Sequence, residues 1–283
     1  MTFHELLSIS EKKLQTELNL SPSEAKRDVE DIAMYATKWS RAELLTRRDE
    51  EVGITHKAIF DKALADRIGG KPLQYITNSA CFFGYDFFVN ESCLIPRVDS
   101  EVLVENALKD CTQDNIKVLD LCCGSGCLGL SFAKQMAERG AQCNLTMLDI
   151  SSNAIQIARL NTQKLGIKAK FMVADILQGL ALDEQFDVIF CNPPYIETAE
   201  IANLDKQVKD FEPHLALDGG TDGLKFYRAV AENLKSIMEK GGKSYFEIGY
   251  NQGQTASEIF TAKGFNVDIK KDYGKNDRCL IVH

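Results

Sequence analysis

The chain has 283 residues, of which 45% are hydrophobic and 26% charged, with a formal net charge of −8. That length suits two domains better than one, and the balance argues against extended disorder. No run approaches the roughly 18 apolar residues a membrane helix needs. Met1 to Leu14 mixes Glu5, Glu11, Lys12 and Lys13 with no apolar core before a cleavage site, so neither a signal nor a transit peptide is expected and the protein is placed in the cytoplasm with no membrane partner. Nine cysteines scattered from Cys81 to Cys279 form no even framework, which fits reduced thiols. Cys122, Cys123 and Cys127 have no second ligand pair at zinc spacing, so no metal is expected. The acidic balance counts against, without excluding, a nucleic-acid partner.

The first seventy residues read as a small all-α domain. Ser21-Pro22-Ser23-Glu24 places an N-cap serine, a first-turn proline and a capping-box glutamate. Val29, Ile32, Ala33 and Ala36 then recur at helical spacing. Ser40-Arg41-Ala42-Glu43 repeats the box, and a helix over Thr55 to Ile68 stops at Gly69-Gly70. From Leu73 to Pro96 the texture turns aromatic and β-prone: Tyr75-Ile76, Cys81-Phe82-Phe83 and Phe87-Phe88-Val89, punctuated by Gly84-Tyr85-Asp86 and Asn90-Glu91-Ser92. This predicts a β-hairpin linking two domains. The expected boundaries are 1–72, 73–96 and 97–283.

Beyond Arg97 strands alternate with helices. Strands are expected at Lys117–Leu121, Asn144–Ile150, Lys168–Ala174, Phe186–Cys191 and Lys243–Ile248, and helices at Leu128–Arg139 and Ser152–Leu165. Phe265–Lys270 and Arg278–Val282, with no room for a helix between them, form a terminal antiparallel hairpin. The pattern is α/β: a mainly parallel, Rossmann-like sheet covered on both faces.

The first strand–helix junction, Asp120-Leu121-Cys122-Cys123-Gly124-Ser125-Gly126, is a glycine loop that lets backbone approach a ligand. Asp149 ends the next strand, where an acid can accept hydrogen bonds from both ribose hydroxyls of a nucleoside. Each feature also has a plain structural reading, as a tight turn and a surface charge; together they favour a nucleoside cofactor without saying which. Asp175 ends a third strand, where a carboxylate or nearby amide can meet an adenine edge while Ile176 covers its face; a purely structural role stays open.

Asn192-Pro193-Pro194-Tyr195 follows a buried strand. Two prolines remove two backbone donors and stiffen the loop, which therefore presents oxygens. The Asn192 side chain and the Pro193 carbonyl can accept the two hydrogens of a planar NH2 group while Tyr195 packs on its flat face. Such a grip turns a delocalised lone pair toward an electrophilic methyl and stabilises the charge that builds on nitrogen. A proline-stiffened structural loop is the competing reading.

These residues carry a resemblance. With Gly70-Lys71-Pro72-Leu73-Gln74-Tyr75-Ile76, Leu94-Ile95-Pro96-Arg97-Val98-Asp99-Ser100-Glu101, Phe211-Glu212-Pro213 and Phe246-Glu247-Ile248-Gly249, the chain resembles, over nearly its full length, the bacterial HemK/PrmC protein methyltransferases. The resemblance implies a class I methyltransferase domain that uses S-adenosyl-L-methionine, releases S-adenosyl-L-homocysteine and methylates the glutamine N5 of the Gly-Gly-Gln motif in peptide-chain release factors, its protein partners. It implies a cofactor site at Cys122, Cys123, Gly124, Ser125, Gly126, Asp149, Asp175, Ile176 and Asn192, and a substrate grip by Asn192, Pro193, Pro194 and Tyr195. Arg97 would stand at the site's mouth, unless it is only a salt-bridge partner, and the chain would act as a monomer. Cys122 departs from a frequent glycine, and Val98 and Ser100 from a common proline and threonine. The alternatives are a nucleic-acid amino-methyltransferase, which should bring a basic surface; a nicotinamide oxidoreductase, which leaves Asn192 to Tyr195 unexplained; and a binding module with an inert pocket.

Overall fold

The computed structural model describes residues 1–180 and 182–283. The chain divides into two compact units: Met1–Ser79 with Lys206–Phe211, and Ala80–Asp205 with Glu212–His283. The first is helical and extends past the boundary expected at residue 72. It comprises α1 (Phe3–Leu18), α2 (Pro22–Thr37), α3 (Arg41–Thr46), α4 (Ile54–Ile68) and α5 (Leu73–Thr77), and α9 (Lys206–Phe211) belongs to it as well. Thr2, Ser21 and Ser40 each cap a helix in a full capping box with Glu5, Glu24 and Glu43. Each box satisfies two donors that the helix start leaves orphaned. Phe3, Leu14, Val29, Ile32, Ala33 and Phe60 form the core.

The expected long hairpin is corrected here. Leu73–Thr77 is α5, entered directly from Pro72 and ended by Asn78 at φ 55°. The hairpin shrinks to β1 (Ala80–Phe82) and β2 (Tyr85–Phe87), in which Phe82 pairs with Tyr85. Phe83 and Gly84, at φ 52° and 78°, make the two-residue turn, the positive-φ geometry that matches strand twist. Tyr85 and Asp86 therefore lie in a strand and not in the punctuation.

The second unit then runs α6 (Glu101–Asp110), β3 (Asn115–Leu121), α7 (Cys127–Glu138), β4 (Gln142–Asp149), α8 (Ser152–Leu165), β5 (Ala169–Val173), β6 (Phe186–Cys191), α10 (Lys225–Ile237), β7 (Met238–Glu247), α11 (Gly253–Thr261), β8 (Val267–Lys271) and β9 (Asp277–Val282). The sheet order is β5-β4-β3-β6-β7-β9-β8. β3 to β7 are parallel, and β9 runs antiparallel between β7 and β8. The mainly parallel sheet with an antiparallel terminal hairpin is as expected.

No side chain caps α6, α10 or α11, although Ser100 and Glu101 open α6. α10 is held by burial instead. Tyr227, Val230, Ala231, Leu234 and Ile237 fall on one face and are all buried, the aliphatic Val230, Leu234 and Ile237 each worth about 1.5–3 kcal/mol where fully removed from water.

Gly129, inside α7, sits where a Cβ would lie 2.9 Å from both Asp120 Oδ2 and Leu145 Cδ1. Alanine ordinarily gains about 1 kcal/mol over glycine in a helix. Here the crowding wins, and Gly129→Ala is expected to lower stability by about 1–3 kcal/mol in denaturant titration.

Candidate active site

The strand order reverses direction between β3 and β6, and in open α/β sheets a ligand crevice lies at such a switch point, beyond the strands' carboxyl ends. The register sets what meets there. Leu121 pairs with Cys191 across β3 and β6, Leu121 with Leu148 across β3 and β4, and Cys191 with Phe246 across β6 and β7. The residues one step further, Cys122, Asn192, Asp149 and Glu247, consequently stand side by side along one sheet edge.

A cavity of about 380 Å³ opens at this edge, within the range of small-molecule sites. Its wall includes Arg97, Cys122, Cys123, Gly124, Ser125, Asp149, Asp175, Ile176, Asn192 and Pro194. These ten positions were singled out from sequence, and the fold brings them together. Gly126, Pro193 and Tyr195 are not among the lining residues. Gly126 acts from behind: at φ 80° it caps α7, and a Cβ there would press on Leu130 and Met147 at 3.1 Å.

Asp149 is buried, with one oxygen accepting from Gly124 N (2.9 Å) and the other from Ser151 N (2.9 Å). The carboxylate is thus fixed against the glycine loop with lone pairs left for a ligand's hydroxyls. Burial raises its pKa, opposed by the hydrogen bonds from Ser151 and Gly124. Asn161, fully buried on α8, donates to Ser125 O (2.9 Å) and Phe88 O (3.0 Å) and accepts from Phe88 N (2.7 Å). It pins the glycine loop to the strand exit of the hairpin. Asp175 accepts from Leu177 N at 2.9 Å, opening a short 3-10 turn that contains the buried Ile176.

Asn192 is half-buried, and its amide has no hydrogen-bond partner among the described residues. Tyr195 departs from the expectation that its ring covers a substrate's flat face. The ring packs on the sheet core and its hydroxyl donates to Glu247 Oε1 at 3.1 Å. Arg97 lines the cavity and also pairs with the buried Glu212, which accepts in addition from Ile95 N at 3.3 Å. Arg97 thus stands on the cavity wall and in an ion pair at once.

The cavity thiols are held in their neutral form. A hydrogen bond with Cys191, then burial, raises the Cys122 pKa; burial raises those of Cys123 and Cys127 and pushes Cys93 up to about 12. Among the described residues no group of three or more His, Cys, Asp or Glu side chains could hold a metal ion, and no helix is long and apolar enough to cross a membrane.

Cys93, His214, Leu215, Lys225 and Phe226 also line the wall and were not singled out from sequence. Phe226 lies near the start of α10, where the apolar repeat from Tyr227 to Ile237 is a usable signal. His214 and Leu215 sit in a one-turn 3-10 segment with no such pattern.

A parallel sheet with a glycine loop after its first strand, an acid ending the second, an Asn-Pro-Pro-Tyr turn after the fourth and an antiparallel terminal hairpin defines a class I methyltransferase. The comparisons agree. Residues 97–220 match the methyltransferase small domain, and residues 11–77 the PrmC N-terminal domain. The release factor glutamine methyltransferase of Clostridium acetobutylicum is 36% identical over 260 residues, covering 90% of this chain and 90% of the relative. That of Koribacter versatilis is 35% identical, covering 92% and 90%. A crystal structure of a methyltransferase from Pyrococcus furiosus superposes with a TM-score of 0.51 at 19% identity, covering 80% of this chain and 95% of that one, a likeness of fold. The chain belongs to the release factor glutamine methyltransferase family.

Asp120 is fully buried in β3; Oδ2 accepts from Gly129 N at 3.0 Å and Oδ1 has no partner among the described residues. Burial lifts its pKa to about 8, far above the roughly 3.9 of an unfolded chain. Between these values the folded state binds more protons than the unfolded one, so this group's contribution to stability falls as pH rises from about 4 to about 8. Asp120→Asn removes that slope. Chemical denaturation across this window is expected to show the variant gaining on the parent as pH increases, by at most about 1.4 kcal/mol per unit.

Proposed function

We propose that the chain transfers a methyl group from S-adenosyl-L-methionine to the side-chain amide nitrogen of the glutamine in the Gly-Gly-Gln motif of a peptide-chain release factor, in the cytoplasm. The observation that carries this reading is Asn192, half-buried and with no protein partner for its amide among the described residues, on the same cavity wall as Asp149 and Gly124.

The residues present fit the cofactor. The cavity has apolar cover from Leu128, Ala174, Ile176 and Leu177, a backbone cradle at Gly124, and the fixed carboxylate of Asp149. Asp149 would accept from the ribose hydroxyls, and Asp175 with Ile176 would border the adenine. Bound there, S-adenosyl-L-methionine supplies a methyl group on a sulfonium, with S-adenosyl-L-homocysteine as product.

The chain's own contribution is to hold the amide. Asn192 Oδ1 and the Pro193 carbonyl accept the two N–H groups, and Pro193 and Pro194, having no N–H of their own, place no backbone donor between those acceptors. Two acceptors strengthen as positive charge grows on nitrogen, so they stabilise the transition state more than the ground state. Fixing the nitrogen in line with the methyl adds the benefit of orientation. No general base is needed before transfer, because the proton becomes acidic only once nitrogen is alkylated. The match to a PrmC N-terminal domain supports assigning release-factor docking to the helical unit.

The test is methylation of a purified release factor by the full chain, read by mass spectrometry of the glutamine-containing peptide. A gain of one methyl on that glutamine is expected, and methyl incorporation into RNA or DNA instead would overturn the substrate class. Asn192→Ala should lower kcat about 10²–10³-fold, the usual cost of one transition-state hydrogen-bonding group, with cofactor affinity nearly unchanged. Asp149→Ala should instead weaken cofactor binding about 10- to 100-fold by calorimetry, corresponding to about 1.5–3 kcal/mol for hydrogen bonds to a charged group.

A further inference from the structure

The Asn192–Tyr195 turn cannot hold itself. Beyond Asn192, which leaves β6 directly, its two prolines donate nothing, and the next loop backbone pairing comes at Ile196, which donates to Leu217 O (3.0 Å) and accepts from Gly219 N (2.8 Å). What lies between is gripped from outside at one residue. The Tyr195 hydroxyl donates to Glu247 Oε1 at 3.1 Å, and the Tyr195 carbonyl accepts from Gln252 Nε2 at 2.9 Å. Gln252 is buried and fully committed: its second donor contact is Gly223 O at 3.4 Å, and its Oε1 accepts from Gly249 N at 2.9 Å. The space around it is closed. A Cβ on Gly223 would come within 2.4 Å of Tyr195 O and 2.5 Å of Gln252 Nε2, and one on Gly249 within 2.9 Å of Gln252 Oε1. Neither Glu247 nor Gln252 lines the cavity.

We propose that Glu247 and Gln252 are positioning residues for methyl transfer, which clamp Tyr195 at both ends and so fix the direction in which Asn192 and the Pro193 carbonyl point. The inference rests on the methyl-transfer reading above and deepens it. The two grips are complementary. Glu247, the last residue of β7, sets the ring's depth against the sheet edge. Gln252, at the start of α11, ties the loop's exit to Gly223 and Gly249 together, so one amide holds three backbone segments. Releasing either grip leaves the cofactor wall intact, since Asp149 and Gly124 are held by other bonds, but lets the two acceptors swing. A displacement of about 1 Å at a reacting centre can cost on the order of 100-fold in rate.

The experiment uses the full chain with S-adenosyl-L-methionine and a release factor. Gln252→Glu keeps the acceptor for Gly249 N but turns the NH2 donor into an oxygen facing two carbonyls; Glu247→Leu removes the hydroxyl's acceptor, and Glu247→Gln keeps one. The proposal expects kcat to fall about 10- to 100-fold in Gln252→Glu and Glu247→Leu, and distinctly less in Glu247→Gln, with cofactor Kd within about twofold of the parent. Amide exchange in the peptide covering residues 189–197 should quicken in the first two. Rates within twofold of the parent, or an activity loss matched by an equal loss of cofactor binding, would overturn it. If Gln252→Glu does not fold, Gln252→Ala and Tyr195→Phe carry the same comparison. Should the parent itself fail to methylate the release factor, the functional reading falls, and the exchange measurement still decides the clamp: unchanged exchange overturns it.

Discussion

Parallel pairing of β3 with β6 sets everything chemical in this molecule. Leu121 and Cys191 are partners in the ladder, so the glycine loop and the Asn-Pro-Pro-Tyr turn leave the sheet at the same level and at neighbouring positions. A strand's side chains alternate between faces, and here both faces are buried, so a slip of one residue would exchange the side chains packed on the two faces. The hydrophobic faces of Val118, Leu119, Leu121, Val188, Ile189 and Phe190, all buried, therefore fix the distance between cofactor loop and substrate grip. Catalytic geometry here is a by-product of core packing.

Around that edge three buried polar side chains are firmly paired. Asp149 holds the glycine loop, Asn161 ties the same loop to Phe88, and Glu212 gathers Arg97 and Ile95. Each joins segments far apart in sequence, and an unpaired polar group in such surroundings costs about 1–3 kcal/mol. These bonds are consequently strict about which backbone they accept. Cys122 illustrates the limit. At φ 55° it occupies the left-handed region, where a side chain costs about 1–2 kcal/mol and glycine costs nothing. The departure from a frequent glycine noted in the sequence is thus a departure at a strained position, offset by packing of the thiol against the sheet core and its contact with Cys191.

How much of this was legible beforehand depended on whether the cause was local. The capping boxes at Ser21 and Ser40 are local, and so are the alternation of strand and helix, the glycine loop and the proline turn; each was readable. α10 was not marked, because Leu224 gives no cap and the helix exists to bury one face. Leu73–Thr77 reads as strand because Tyr and Ile favour strands, while Pro72 at the start and the left-handed Asn78 at the end decide for a short helix. Tyr195 reads from sequence as a stacking residue because its identity shows a flat ring but not which way the ring points. The contacts of Glu247 and Gln252 lie 52 and 57 residues from Tyr195, beyond any spacing rule.

The same distinction explains a segment with no evident chemistry, Asp218-Gly219-Gly220-Thr221-Asp222-Gly223. A turn built from two prolines offers acceptors to a substrate because it lacks donors, and for the same reason it cannot brace itself with backbone hydrogen bonds. Something must approach it closely from outside. A Cβ on Gly219 would lie 2.7 Å from Tyr195 Cα, and one on Gly223 2.4 Å from Tyr195 O; only backbone without side chains fits there. Asp218 and Asp222 shape that stretch by accepting from the amides of Gly220 and Leu224 at 3.0 and 3.1 Å. The glycines are the counterpart of the prolines, because stiffness at the substrate grip requires a partner smooth enough to lie against it.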